Sequence, residues 1–107
     1  MPRRVQIGPY RYRIRQELGD FGLLRDSSVL GRTLPAQCQL QIHPKMAADQ
    51  KPSVLLHELI HAVLDAAGVE NDRCLSVEEM ICHLTPGLLR ALRDNPKLVR
   101  YLLKNQS

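Results

Sequence analysis

Residues 57–61 read His-Glu-Leu-Ile-His and combine two potential metal ligands with a carboxylate. On a helix, histidines at positions i and i+4 lie one turn apart on the same face, so both imidazoles can bind one ion. Glu58 lies about 100° around the helix from His57, where it can reach a water molecule at the ion rather than join the ligand pair. The spacing therefore predicts a Zn²⁺ site with His57 and His61 as ligands and Glu58 as general base.

A catalytic zinc site has three protein ligands and one open position. The extended motif HExxHxxGxxH would need glycine at position 64 and histidine at position 67, where the chain has Leu64 and Ala67. The remaining candidates are Glu78, Glu79 and His83, all on the next predicted helix. Helical phase favours Glu78 on the flank of the apolar face, because Glu79 stands in a capping-box position and His83 lies on the other flank. Spacing alone leaves the three alternatives open.

The motif together with Glu78 resembles the gluzincins, zinc metallopeptidases with two histidines and a distal glutamate as ligands. The small size resembles the minimal gluzincins and the catalytic core of ImmA/IrrE-type peptidases, and the similarity is greatest to short bacteriophage and prophage HExxH proteins. The resemblance covers Gly31 to Leu103, about two-thirds of the chain. It is carried by the segments Gly31–Ile42, Leu55–Val63, Glu78–Ile81 and Leu92–Leu102.

This resemblance implies a zinc metalloendopeptidase in which His57, His61 and Glu78 hold the ion and Glu58 is the general base. It also implies that the strand Cys38–Ile42 runs beside the active-site helix. A peptide or protein substrate would then bind extended along that strand.

The chain departs from the family pattern at one place. Many gluzincins have an acidic residue one turn after the ligand glutamate, and here that position is Cys82. Asp65, one turn after His61, is a candidate to take over the orientation of a zinc histidine. The other interpretation of Asp65 is a solvated surface carboxylate.

Hydrophobic periodicity indicates the elements that position these residues. The predicted strands, which alternate apolar and polar side chains, are 5–7, 10–15 and 36–43. Gly8-Pro9 predicts a turn between the first two, and Pro35 and Pro44 bracket the third, which favours an edge strand. Residues 16–34 are predicted to be mostly loop.

The predicted helices are 49–67, 76–94 and 95–103. Asp49 is a candidate N-cap for the first and Gly68 its C-terminal stop. Ser76 begins the second with a capping box, and Pro86 predicts a kink or break within it. Asn95 is the candidate cap of the third helix.

These elements predict an α+β, zincin-like fold in a single domain over residues 1–107. A small antiparallel sheet would pack on the HExxH helix, followed by a second helix with the third ligand and a short C-terminal helix. The composition, 44% hydrophobic and 24% charged, is typical of a globular protein.

Composition also argues against several classes of protein. Three cysteines without a CxxC pair argue against a disulfide framework. The chain shows no signal peptide and no run of about 20 apolar residues, which predicts a cytoplasmic location without membrane contact. A net charge of +4 with no Trp and one Phe argues against nucleic acid as the main partner.

Three other functions stay open beside the peptidase. The first is a structural zinc-binding domain that binds a protein partner without cleaving it. The second is a basic, nucleic-acid-associated phage protein, and the third is a zinc hydrolase acting on a non-peptide bond. The arginines available to the second are Arg3, Arg4, Arg11, Arg13 and Arg15.

Overall fold

The computed structural model describes residues 1–16 and 30–104. In chain order its strands are β1 (Arg4–Ile7), β2 (Tyr10–Arg15), β3 (Gly31–Leu34) and β4 (Gln39–Ile42), and its helices are α1 (Lys51–Ala66), α2 (Val77–Asp94) and α3 (Pro96–Leu103). A short 3₁₀ helix, Pro35–Gln37, joins β3 to β4. The molecule is therefore α+β, as predicted. None of the helices in the described ranges is long and apolar enough to cross a membrane.

The four strands form one mixed sheet in the order β1-β2-β4-β3. The β1–β2 and β3–β4 pairs are antiparallel, but β2 and β4 run parallel. The prediction of an antiparallel sheet is therefore wrong for the central pair. Alternation assigns the two faces of a strand but says nothing about its direction, which depends on how the intervening chain connects the strands.

The third predicted strand is shorter and lies elsewhere in the sheet than expected. Residues 35–37 form the 3₁₀ helix and Cys38 takes a left-handed conformation at φ +50°, so regular pairing begins only at Gln39. Because β4 pairs with β2 on one side and β3 on the other, the prediction of an edge strand is wrong. Pro35 starts the 3₁₀ turn, where its missing N–H costs no ladder hydrogen bond.

The predicted loop over residues 16–34 falls mostly on residues 17–29, which lie outside the described residues. Within its described part, Gly31–Leu34 is strand β3, so the loop prediction is wrong there. The predicted turn at Gly8-Pro9 is confirmed, with Gly8 at φ +56° between paired Ile7 and Tyr10.

The helical periodicity and the C-terminal end predicted for the first helix are confirmed in α1. It stops before Gly68, which adopts φ +76°, a conformation that glycine reaches without a Cβ penalty. Its N-cap is Gln50, without a side-chain cap hydrogen bond, so the capping role predicted for Asp49 is wrong. The start instead has Pro52 in its first turn, where a missing N–H is harmless.

Helix α2 begins with the predicted capping box. The Ser76 hydroxyl accepts from the Glu79 backbone N–H at 3.1 Å, and the Glu79 carboxylate accepts from the Ser76 N–H at 3.2 Å. The helix continues to Asp94 through Pro86, so a break at this proline does not occur.

The side chain of Asn95, the N-cap residue of α3, joins the helices to the sheet. Its amide accepts from the Gln6 N–H and donates to the Gln6 carbonyl, both at 2.7 Å, and it also donates to the Ala91 carbonyl at 2.6 Å. The side chain thus satisfies both backbone groups of a residue on the edge strand β1. Asn95 and Pro96 thus hold the predicted N-cap and first positions of α3, but the Asn95 side chain makes no capping hydrogen bond because its partner lies in the sheet.

The core lies between one face of the sheet, here called the inner face, and helix α1. Its buried members are Val5, Ile7, Tyr12, Ile14, Leu40, Ile42, Leu55, Leu59, Ala62, Val63, Ala91 and Leu98. Burial of each large aliphatic side chain contributes about 1.5–3 kcal/mol. This packing fixes α1 across the sheet and leaves the side of α1 that carries His57 and His61 facing a cavity.

Candidate metal centre

His57 and His61 present their Nε2 atoms to each other from successive turns of α1. The two nitrogens are 3.2 Å apart, and the rings meet edge to face with centroids 4.8 Å apart. Zinc bound by imidazole at 2.0–2.1 Å with a tetrahedral angle separates two ligand nitrogens by about 3.3 Å. The pair therefore fits two neighbouring coordination positions of one zinc ion.

Glu58 is held beneath this pair by β3. Its side chain is buried, with 7% of the residue exposed. The Thr33 hydroxyl lies 2.9 Å from Glu58 Oε1 and 3.0 Å from the Glu58 carbonyl oxygen, so its single proton serves one of these acceptors at a time. Thr33 is a site residue that sequence reasoning missed, because its segment was predicted to be loop.

Gly31 allows β3 to approach the glutamate so closely. A Cβ at this position would lie 2.8 Å from Val54 Cγ1, 3.1 Å from the Gln41 carbonyl oxygen and 3.2 Å from Glu58 Cγ. Any larger residue would press on the backbone of β4 and on the glutamate together. The glycine is thus required by the contact between strand and helix at the site.

Glu70 approaches His61 from the connection after α1. Its Oε1 contacts His61 Nδ1, and since a carboxylate only accepts, Nδ1 carries the proton of this hydrogen bond. In the neutral ring this leaves the Nε2 lone pair for a metal, which is the arrangement found when a carboxylate orients a zinc histidine. The orientation considered for Asp65 therefore falls to Glu70.

The turn that delivers Glu70 is a Schellman motif at the end of α1. Gly68 N–H donates to the Asp65 carbonyl at 2.9 Å, and Val69 N–H donates to the Leu64 carbonyl at 3.1 Å. Val69 is buried, which anchors the chain after the turn. A sequence signal for this contact was present: Gly68 is followed by an apolar residue and then by a glutamate. This pattern is typical of a turn that reverses the chain and brings the glutamate beside the last turns of α1.

These residues line a cavity of about 430 Å³. One wall is formed by β3 and the first residue of the 3₁₀ helix, a second by α1 and a third by the connection after α1. The residues that line the cavity are Gly31, Arg32, Thr33, Pro35, His57, Glu58, His61, Asp65, Glu70 and Asn71. Arg32, which the sequence did not single out, also lines the cavity, and its Nε donates to Gln41 Oε1 at 2.7 Å. Glu70 Oε2 is buried without a hydrogen-bond partner among the described residues.

Glu78 lies outside this cavity in the described conformation. It is exposed on the first turn of α2, and its Oε1 is 3.7 Å from Cys82 Sγ. Glu79 is occupied by the capping box, and His83 lines a different cavity beside α2. The structure thus brings together His57, Glu58 and His61, and the ligand role of Glu78 stays a prediction.

The described residues contain no group of three or more His, Cys, Asp or Glu side chains arranged to hold a metal ion. Glu70 does not complete the set while it contacts Nδ1, because the two nitrogens of an imidazole point in diverging directions. A metal on Nε2 of His61 is therefore out of reach of that carboxylate. The donors fit a zinc ion at two positions, and the third must come from another residue.

Comparison of the chain with models of protein families, with curated proteins and with solved structures gives no match. The resemblance to gluzincins therefore depends on the motifs quoted above.

Proposed function

We propose that the protein is a zinc-dependent peptidase of zincin-like fold. The observation that carries the proposal is the 3.2 Å separation of His57 Nε2 and His61 Nε2 at the wall of a cavity that also holds the Glu58 carboxylate. In this proposal His57, His61 and Glu78 are the zinc ligands. When bound, zinc supplies Lewis-acid polarisation of water and of the scissile carbonyl.

Glu58 is the proposed general base. The Thr33 hydroxyl at 2.9 Å fixes Oε1, and Oε2 has no hydrogen-bond partner among the described residues. The carboxylate can thus accept a proton from water at Oε2 and pass it to the leaving amine. Glu70 keeps His61 in one orientation and tautomer through Nδ1, so that Nε2 stays available to the metal.

The substrate would bind along β3 instead of the Cys38–Ile42 strand. Both edges of β4 are already paired, so no peptide can add to it. β3 lies at the end of the sheet and has no second strand partner among the described residues, and Gly31, Arg32 and Thr33 line the cavity. An extended peptide paired with β3 would pass Glu58 and the two histidines.

The test compares wild-type protein with Glu58→Gln for zinc content and for cleavage of casein. We expect both proteins to bind zinc at equal stoichiometry, and we expect the substitution to lower cleavage by about 10²-fold to 10⁴-fold, since it removes only the base. Glu79→Gln is the matched control, because it makes the same chemical change outside the cavity and glutamine also closes a capping box.

The possible results separate the functions that the sequence left open. Zinc binding without cleavage of casein or of a broad peptide library would favour a structural zinc domain. Failure of the wild-type protein to bind zinc would reject all three zinc functions, which are the peptidase, the structural zinc domain and the hydrolase of a non-peptide bond. Equal cleavage by wild type and Glu58→Gln would reject the assignment of the base.

A second candidate function has one specific observation in its favour. On the outer face of the sheet, the exposed Arg4 and Arg13 are directly opposed across β1 and β2, and like charges in this position destabilise a sheet. Together with Arg3 and Arg15 they line a depression of about 410 Å³. A phosphate group would relieve the repulsion. Binding of a labelled DNA or RNA oligonucleotide with a steep salt dependence would support a nucleic-acid-associated protein, and absence of binding at 50 mM salt would exclude it.

A further inference from the structure

A second cavity lies directly beside the metal-site cavity. Its volume is about 540 Å³, and Pro35 and Asp65 line both cavities. A peptide bound along β3 at the histidines would therefore present a neighbouring side chain to the second cavity. The residues that line the second cavity would therefore determine which side chain the substrate can have at that position.

The hydroxyl of Tyr12 is a polar group in the mostly apolar lining of the second cavity. Only 2% of the residue is exposed, yet its hydroxyl has no hydrogen-bond partner among the described residues, and it lines the cavity. Burial, with a smaller contribution from the Asp65 carboxylate, raises the pKa of Tyr12 to about 12. The hydroxyl is therefore neutral at physiological pH and can accept or donate a hydrogen bond to an occupant.

The second cavity is negative although the whole chain carries a net charge of +4. Asp65 is the only charged residue in its described lining, and no Lys or Arg contributes. Asp65 and Ala66 belong to the last turn of α1, where the helix dipole adds partial negative charge. Tyr10 adds an aromatic ring at the rim, of a type that attracts cations.

We propose that this second cavity binds the cationic side chain of a lysine or arginine in the substrate. The inference rests on the proposed peptidase function and names the substrate class of that site. An ammonium or guanidinium group would pair with Asp65, donate to the Tyr12 hydroxyl and lie against the Tyr10 ring. An aliphatic side chain would fit the walls but would desolvate the Asp65 and Tyr12 oxygens without replacing their hydrogen bonds, which is costly.

The test measures equilibrium binding of fluorescein-labelled peptides by anisotropy, in the Glu58→Gln variant so that cleavage during the measurement is slowed. Three peptides differ at one position, which is lysine, Nε-acetyl-lysine or leucine, between alanines. We expect the lysine peptide to bind about fivefold more tightly than the other two, a difference at the upper end for an ion pair with an exposed carboxylate.

Two further substitutions locate the effect. Asp65→Asn should reduce the preference for lysine to less than about twofold, whereas Asp49→Asn, the same change at an exposed carboxylate away from the cavity, should leave it intact. Tyr12→Phe removes only the hydroxyl and should lower the preference by a smaller factor. Since Asp65 is exposed, Asp65→Asn is expected to fold, which circular dichroism would check.

Equal affinity for the three peptides, a preference for leucine, or a lysine preference that survives Asp65→Asn would each overturn the proposal. Its failure is distinguishable from failure of the peptidase function by the wild-type assays. Cleavage of casein without a lysine preference would reject the subsite alone. A lysine preference that depends on Asp65, in a protein that cuts nothing, would retain the cation site and reject the peptidase.

Discussion

The two helices that bear the predicted metal ligands present them in different ways. On α1, Glu58 is buried and bonded to Thr33, and His61 is oriented by Glu70. On α2, Glu78 is exposed, and within the described residues its side chain accepts a hydrogen bond from Cys82 of its own helix. The α1 side of the site is preorganised by packing across the sheet. On the α2 side the helix itself packs on the core, but the Glu78 side chain at its first turn is exposed.

This difference shows that helix capping and burial determine different properties of a side chain. A capping box such as that of Ser76 and Glu79 determines where a helix begins, but it does not determine what the next side chain contacts. Burial against a second helix or strand does determine what a side chain contacts, because its alternative rotamers then clash or lose hydrogen bonds. For Glu78 to serve as a ligand, metal binding itself must supply the missing order, which links zinc affinity to the position of α2.

The largest expected effect is that of Glu78→Gln on zinc affinity. If Glu78 is the third ligand, the substitution should weaken zinc binding by more than about 100-fold, since loss of a direct ligand exceeds the 10-fold to 100-fold typical of an orienting partner. A chelator competition titration would measure it, with Glu79→Gln as control. An unchanged affinity would exclude Glu78 as a ligand.

Glu70→Gln is expected to have a smaller effect on the same measurement. Glutamine retains the size of the side chain but not the charge that favours the Nδ1-protonated ring of His61, so zinc affinity should fall about 10-fold to 100-fold. If Glu70→Gln weakens binding more than Glu78→Gln does, Glu78 is not a direct ligand of the ion.

The α1 side of the site was accessible from sequence because its signals are local. The i, i+4 spacing of the histidines, the apolar period and the stop at Gly68 each lie within one helix and do not depend on the rest of the fold. The same holds for the capping box at Ser76, which needs only a serine and a glutamate three positions later.

The partners of these residues were not accessible, because they come from pairings distant in sequence. Thr33 reaches Glu58 across 25 residues, and it does so only because β3 lies at the end of the sheet beside α1. The alternation of β4 assigned Leu40 to the inner face correctly but could not reveal that β2 and β3 flank this strand. The alternation of side chains along a strand shows which residues share a face of the sheet. The order of the strands depends instead on how the chain connects them, for example through residues 17–29.

Gly31→Ala tests how much the preorganised side depends on close packing. The new Cβ would clash with Val54 and the Gln41 carbonyl, and overpacking of this kind destabilises by about 1–3 kcal/mol. Urea denaturation would measure the loss, and casein cleavage should fall as Glu58 is displaced. Gly87→Ala is the control on α2: its Cβ would meet only Val63 Cγ1, at 2.7 Å, and it gains about 1 kcal/mol of helix propensity. A greater loss for Gly87→Ala would contradict the view that the β3–α1 contact is the tighter one.

Ser76→Ala should have the smallest effect, and it tests whether the first turn of α2 takes part in metal binding. It removes the hydroxyl that accepts from the Glu79 N–H, which typically costs about 1 kcal/mol, whereas Ser76→Asp retains an accepting oxygen and should cost little. If Glu78 binds zinc, the ion must also hold the first turn of α2, so part of the cap's contribution should appear as a decrease in zinc affinity of up to about fivefold. Measurement of unfolding with and without zinc separates the two contributions. A loss of stability equal in both conditions would mean that the start of α2 does not take part in metal binding.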